Sequence, residues 1–215
     1  MNEFTKNYLC KQMGIDEAVV DYVSLSEEEI KPHFSELDTI REFNQFKVIE
    51  AMQFNRLSST DFYWTTGYGY GDVGREKVES IFARVFRGES ALVRPAIASG
   101  THALNLTFSG ILRPGDQLLY ATGKPYDTLL KVIGTKGSMG GSLIDYGVSY
   151  KEVPLKNNLM DIETILDSLE DTTKIVAFQR STGYSDRRAF TVSELEEAIS
   201  AVKNRFPERI VMAAN

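Results

Sequence analysis

The 215-residue chain holds a single cysteine, Cys10, and two histidines, His33 and His102. One thiol cannot close an internal disulfide, and two histidines cannot build a histidine metal cluster. The first residues lack the basic stretch, apolar run and cleavage site of a secretory signal, so a cytoplasmic location is the default expectation. Long hydrophobic runs are absent too: Arg, Asp or Gly interrupts each apolar stretch within about ten residues, too few to span a bilayer. Positive charge is scarce. With 24 basic against 30 acidic residues and a formal charge of -6, the total gives no electrostatic support for binding nucleic acid or an anionic membrane. Repeats, low-complexity tracts and a Pro/Ser-rich linker are missing as well. What is present is a 42% hydrophobic content, enough for a sizeable core in a globular chain.

Between Ser26 and Arg56, the residues Ile30, Phe34, Leu37, Ile40, Phe43, Phe46, Ile49 and Met52 recur every three or four positions and Phe54 closes the row, which predicts an amphipathic helix. Ser26-Glu27-Glu28-Glu29 has the capping-box pattern, and Pro32 stands near the expected start. Residues 1–60 are read as a helical arm whose apolar row packs, and residues 61–215 as the main domain. Beyond Arg75 helices alternate with short β-branched runs, which predicts an α/β fold with a mostly parallel sheet flanked by helices. Helices are expected at 74–86, 101–112, 126–133, 162–169 and 193–204, and strands at 91–93, 117–121, 149–153, 174–178 and 209–212. Ligands of such sheets bind beyond the carboxyl ends of strands, where the polar loops 99–102, 122–127 and 179–188 fall.

Ser99-Gly100-Thr101-His102 opens the helix expected to run to Leu112. Small hydroxyl and glycine residues there leave backbone N–H groups unpaired, and the helix dipole adds positive charge, so the segment reads as a phosphate cradle. The alternative is an ordinary N-cap. His102 either stacks near a bound ring or packs behind the helix. Arg113-Pro114-Gly115-Asp116 is a tight turn into the next strand. Tyr126, after Thr122-Gly123-Lys124-Pro125, reads from its surroundings as a core tyrosine. Gln179-Arg180-Ser181-Thr182-Gly183-Tyr184 closes an apolar strand with polar groups, a site-like pattern, while Arg187-Arg188 is expected to face solvent. Gly69-x-Gly71-x-x-Gly74 matches a dinucleotide fingerprint in letters only, because the aromatic loop Asp61-Phe62-Tyr63-Trp64 precedes it instead of a strand. Its glycines either let Tyr68, Tyr70 and Arg75 project as donors or belong to a flexible loop capped by Asp72.

The order of these features, from Ser99-Gly100-Thr101 through the Arg-Pro-Gly-Asp turn to Tyr126 and the Gln179-to-Tyr184 run, resembles the cofactor half of the fold-type I pyridoxal-phosphate enzymes. It is most similar to the methionine gamma-lyase-like family, whose members are also called aluminium resistance proteins. The resemblance covers nearly the whole chain but only the front part of the family's sequence. It implies a carbon–sulfur lyase acting on a sulfur-containing amino acid, and a homodimer or homotetramer when complete. Neither nucleic acid nor a membrane is an implied partner. In that resemblance pyridoxal 5'-phosphate is bound by Ser99, Gly100, Thr101 and His102, with its ring stacked on Tyr126. Tyr70 and Arg75 reach its phosphate across a subunit interface, and Gln179, Arg180, Ser181 and Tyr184 bind cofactor or substrate carboxylate.

Such chemistry needs a Schiff-base lysine and an acid at the pyridine nitrogen. The resemblance puts the acid where this chain has Ala214, within Ala213-Ala214-Asn215, and the lysine in a stretch further on. No lysine here, Lys124 included, has matching surroundings. The expectation is a truncated chain without catalytic residues of its own, whose cofactor binding is weak or absent. The alternatives are a non-catalytic domain that binds a phosphate-bearing small molecule or pairs with a partner subunit, and an unrelated phosphate-binding α/β module.

Overall fold

The computed structural model describes residues 1–68, 72–137 and 140–215, and its chain divides into two compact units, Met1–Pro95 and Ala96–Asn215. In the first unit, α1 (Glu3–Lys11) is capped by the Asn2 side chain, which accepts the Thr5 N–H at 2.8 Å. The Asp16 carboxylate, accepting the Ala18 N–H at 2.8 Å, starts α2 (Glu17–Phe54). This corrects the expected start at Ser26. Ser26 lies inside the helix, its hydroxyl donating back to the Tyr22 carbonyl at 3.0 Å, and Pro32 is carried within the helix as well. A proline lacks only one intrahelical donor, and a 38-residue helix tolerates that loss.

The apolar row of α2 is exposed within its unit, Phe34, Phe43 and Phe46 each retaining more than half of their surface. From Leu37 to Ile49 it advances by threes, and three residues turn a helix by about 300°, so the row winds backward around the cylinder instead of forming one straight face. At the C-terminal end of α2 the row meets α3 (Val73–Phe86). There the Arg84 guanidinium lies 3.5 Å over the Phe54 ring and donates to both Glu50 carboxylate oxygens, Nε to Oε2 at 2.9 Å. Among the described residues between the two helices lies a 3-10 turn, Ser59–Phe62. Gly74 is required by its packing: a Cβ on it would stand 2.2 Å from the Asp61 carbonyl oxygen.

Residues 91–93 form no strand, which corrects the expectation of one before the phosphate cradle. The Val93 N–H goes to the Glu79 carboxylate on α3 at 3.0 Å, and Arg94 pairs with the same carboxylate. With its donor taken by a side chain and Pro95 two residues on, the segment has little to offer a sheet ladder.

The second unit is α/β. Helix α4 (Gly100–Ile111) precedes β1 (Gln117–Tyr120), followed by α5 (Asp127–Ile133), β2 (Ser149–Glu152), α6 (Ile162–Asp167), β3 (Thr173–Gln179), α7 (Val192–Arg205) and β4 (Ile210–Ala214). These four strands pair in parallel, in the order β2-β1-β3-β4. Side chains alternate across the sheet: Leu118, Tyr120, Ile175 and Ala177 join Phe108 of α4 and Leu129 and Ile133 of α5. Leu119, Val176 and Phe178 face the other way, onto Ile165 of α6 and Ala198 and Val202 of α7. From β1 the chain runs outward on one side to β2, and β3 returns to β1's other side. That reversal between β1 and β3 is where open α/β sheets leave a crevice.

Candidate functional site

A cleft of about 520 Å³ opens past the carboxyl ends of β1 and β3, lined among others by Lys124, Tyr126, Glu152, Gln179, Tyr184 and Arg187. Two loops build it. The first leaves β1 through buried Thr122, whose hydroxyl accepts the Gln179 N–H at 2.9 Å, and ends at Tyr126, just before α5. The second runs from Gln179 to Arg187. The Gln179 carboxamide spans both: Oε1 accepts the Tyr126 N–H at 3.1 Å, and Nε2 donates to the Ser181 carbonyl at 3.2 Å.

The Tyr126 and Tyr184 rings stack, with centroids 5.2 Å apart and planes at 26°, and their hydroxyls are 2.9 Å apart. The hydrogen bond to Tyr184 holds the Tyr126 hydroxyl above the ordinary phenol value. Gly183 allows this approach, at φ +60° and with a would-be Cβ 3.3 Å from the Tyr126 ring. Tyr126 is thus neither fully core nor fully free; 37% of it remains exposed.

Arg187 is only partly exposed, against the expectation for the Arg187-Arg188 pair, while Arg188 is exposed as expected. Its guanidinium donates to the Ser181 carbonyl at 2.7 Å and lies 4.2 Å over the Phe190 ring, and burial holds it below its ordinary value. The apolar Phe190 directly ahead of the α7 capping box was the signal for an inward turn. Arg188 is committed too, to Glu194 at 2.9 Å. Glu152 and Asn158 also line the cleft and were not singled out from sequence. Glu152 ends β2, the position where a parallel sheet presents its ligand-facing residues.

At α4 the Ser99 side chain caps the helix by accepting the His102 N–H at 3.1 Å. The Gly100 and Thr101 N–H groups stand in the first turn, where no helical carbonyl can reach them, and nothing lies within 4 Å of a Cβ built on Gly100. The Thr101 hydroxyl meets that of Thr128 in the first turn of α5 at 2.7 Å. His102 is turned back on its own helix start, Nδ1 accepting the Ala98 N–H at 3.3 Å. Ser99 to His102 are absent from the lining of the cleft that holds Tyr126 and Gln179.

The Arg180 side chain reaches Asn215 at 2.8 Å, and its buried Nε has no partner among the described residues. Ala214, beside Gln179 in the β3–β4 ladder, brings a methyl group to this end of the sheet. In the first unit Arg75 is folded onto its own loop, 3.1 Å from Asp72 and 3.1 Å from the Gly67 carbonyl, and Tyr68 is exposed. Tyr70 lies outside the described residues. Asp72 precedes α3 without capping it; its carboxylate is used by Arg75 and by the Thr65 hydroxyl at 2.7 Å.

The chain is similar to known proteins. The "Uncharacterized protein YnbB" of Bacillus subtilis is 43% identical over 84% of this chain, which spans 43% of that protein. A carbon-sulfur lyase involved in aluminum resistance from Clostridium novyi NT superposes with a TM-score of 0.91 at 40% identity, over 99% of this chain and 51% of that one. A candidate cystathionine beta-lyase involved in aluminum resistance from Clostridium acetobutylicum gives a TM-score of 0.92 at 38% identity, again over 99% and 51%. The chain therefore spans about half the length of these relatives. With the methionine gamma-lyase model matched along residues 19–215, the chain belongs to the methionine gamma-lyase family.

Proposed function

We propose that this chain carries the phosphate-binding and ring-stacking part of a pyridoxal-phosphate-dependent carbon–sulfur lyase that acts on a sulfur-containing amino acid. The observation that carries it is the start of α4: two first-turn N–H groups at Gly100 and Thr101, open space at Gly100, and a hydroxyl contact that ties this helix start to the one following Tyr126. A dianionic phosphate suits such a start, where orphan donors and the helix dipole act together. Tyr126 supplies an aromatic face for a pyridine ring.

When bound, the cofactor would supply an electron-poor ring that stabilises negative charge on the substrate carbon. This chain's part is to bind and orient. Gly100 and Thr101 hold the phosphate, Tyr126 sets the ring plane, and Lys124, which lines the cleft, offers a cation to a substrate carboxylate. The residues fit the phosphate and the ring face. They do not supply the acid expected at the ring nitrogen, because Ala214 has no proton to share, and no lysine of the chain is assigned the covalent role. Ala214 also favours the second reading, a phosphate-ligand-binding domain without turnover of its own.

In the whole protein Tyr70 and Arg75 are proposed to act across a dimer or tetramer interface, which requires Arg75 to leave Asp72. Light scattering of a polypeptide of the relatives' full length checks this, a stable monomer being the contrary result. Spectroscopic titration of the chain with pyridoxal phosphate, before and after replacing Ser99 and Thr101 by alanine, tests the cofactor assignment.

A further inference from the structure

Building on the assignment of Tyr126 as the ring-stacking residue, we propose that Gln179 is a positioning residue that sets Tyr126 at the cleft, not a group that touches the ligand. A primary amide offers an acceptor oxygen and a donor nitrogen, and both are used here. Oε1 takes the Tyr126 N–H at 3.1 Å and Nε2 gives to the Ser181 carbonyl at 3.2 Å. The backbone of the same residue is engaged as well, its N–H with Thr122 at 2.9 Å and its carbonyl with Arg187 at 3.4 Å. One residue, 8% exposed, therefore holds both loops of the cleft.

The consequence falls on Tyr126. It stands at the cap of α5, where the backbone N–H has no helical acceptor, so the Gln179 oxygen fixes where the chain enters that helix. From the opposite side, a Cβ at Gly183 would meet the Tyr126 ring at 3.3 Å and the Gln179 Nε2 at 3.5 Å. The second loop thus lies against the ring and the amide together. A ligand that took over Oε1 would leave the Tyr126 N–H without its acceptor, at a cost comparable to the bond gained, whereas the Ser181 carbonyl would keep Arg187.

Amide hydrogen exchange at Tyr126 tests this directly, with pyridoxal phosphate as the ligand probe. Gln179→Leu is expected to speed exchange of the Tyr126 N–H about tenfold or more while Leu119 and Val176 keep their protection. Gln179→Glu keeps an acceptor and is expected to hold Tyr126 protected to within about threefold. Pyridoxal phosphate affinity is expected to fall about fivefold or more in the leucine variant and less in the glutamate variant. Should the unaltered chain take up no pyridoxal phosphate, the cofactor assignment fails, and exchange at Tyr126 still decides the role of Gln179. Should the leucine variant not fold, the glutamate variant decides: a folded Gln179→Glu protein with an unprotected Tyr126 amide overturns the proposal. Unchanged Tyr126 protection in a folded Gln179→Leu protein overturns it equally.

Discussion

The hydroxyls of Thr101 and Thr128 lie 2.7 Å apart, joining the first turn of α4 to the first turn of α5 although 27 residues separate them. A double-mutant cycle with Thr101→Val and Thr128→Val is expected to show a coupling of about 0.5–1 kcal/mol, the net scale of a solvent-accessible hydrogen bond. Urea unfolding of the four proteins measures it. Additive effects would mean that the two helix starts are set independently.

Gly74 and Gly100 make a contrasting pair. A methyl at Gly74 collides with the Asp61 carbonyl oxygen, whereas one at Gly100 meets nothing within 4 Å. Gly74→Ala is expected to lower stability by about 1–3 kcal/mol, as overpacking against backbone does. Gly100→Ala should leave unfolding by urea nearly unchanged. Equal midpoints for the two variants would contradict the packing described for α3.

Glu194 closes the cap of α7, and its carboxyl is held down to about 2, from an ordinary 4.5, by the Arg188 guanidinium first and the Thr191 N–H next. A depressed carboxylate contributes stability that is complete above its unfolded value and is lost as pH falls through the folded one. The α7 cap is therefore expected to loosen between about pH 4.5 and about 2. Carbon-13 titration of the Glu194 carboxyl follows this, and Glu194→Gln should remove its contribution to the acid transition.

The stacked tyrosines give a spectroscopic handle. Because the hydrogen bond to Tyr184 is the largest influence raising the Tyr126 hydroxyl, Tyr184→Phe is expected to bring that hydroxyl back toward the ordinary phenol range. Alkaline absorbance titration reads the change. An unaltered Tyr126 titration would show that the ring contact, not the hydroxyl contact, governs it.

The sheet was legible because its signals are local and repeated. Ile175, Val176, Ala177 and Phe178 form an unbroken buried strand, and the Arg113-to-Asp116 turn hands α4 on to β1 as expected. Ser99 was readable as a cap for the same reason. The start of α2 was misplaced because Ser26 and Pro32 imitate a helix beginning, and only the true cap at Asp16 shows that they lie inside. Residues 91–93 have strand composition, yet the acceptor for Val93 is Glu79, fourteen residues away on a helix. Arg187 was misjudged for a related reason. Its partners, the carbonyls of Ser181 and Gln179 and the ring of Phe190, converge only once the loop has folded.

Titration with pyridoxal phosphate, with unphosphorylated pyridoxal as the control, tests the central assignment most directly. The chain should bind the phosphorylated form more tightly, and Ser99→Ala together with Thr101→Ala should remove about 1–3 kcal/mol of that binding while leaving pyridoxal unaffected. Equal affinity for the two ligands, or a double variant that binds pyridoxal phosphate as the unaltered chain does, would contradict a phosphate site at the start of α4.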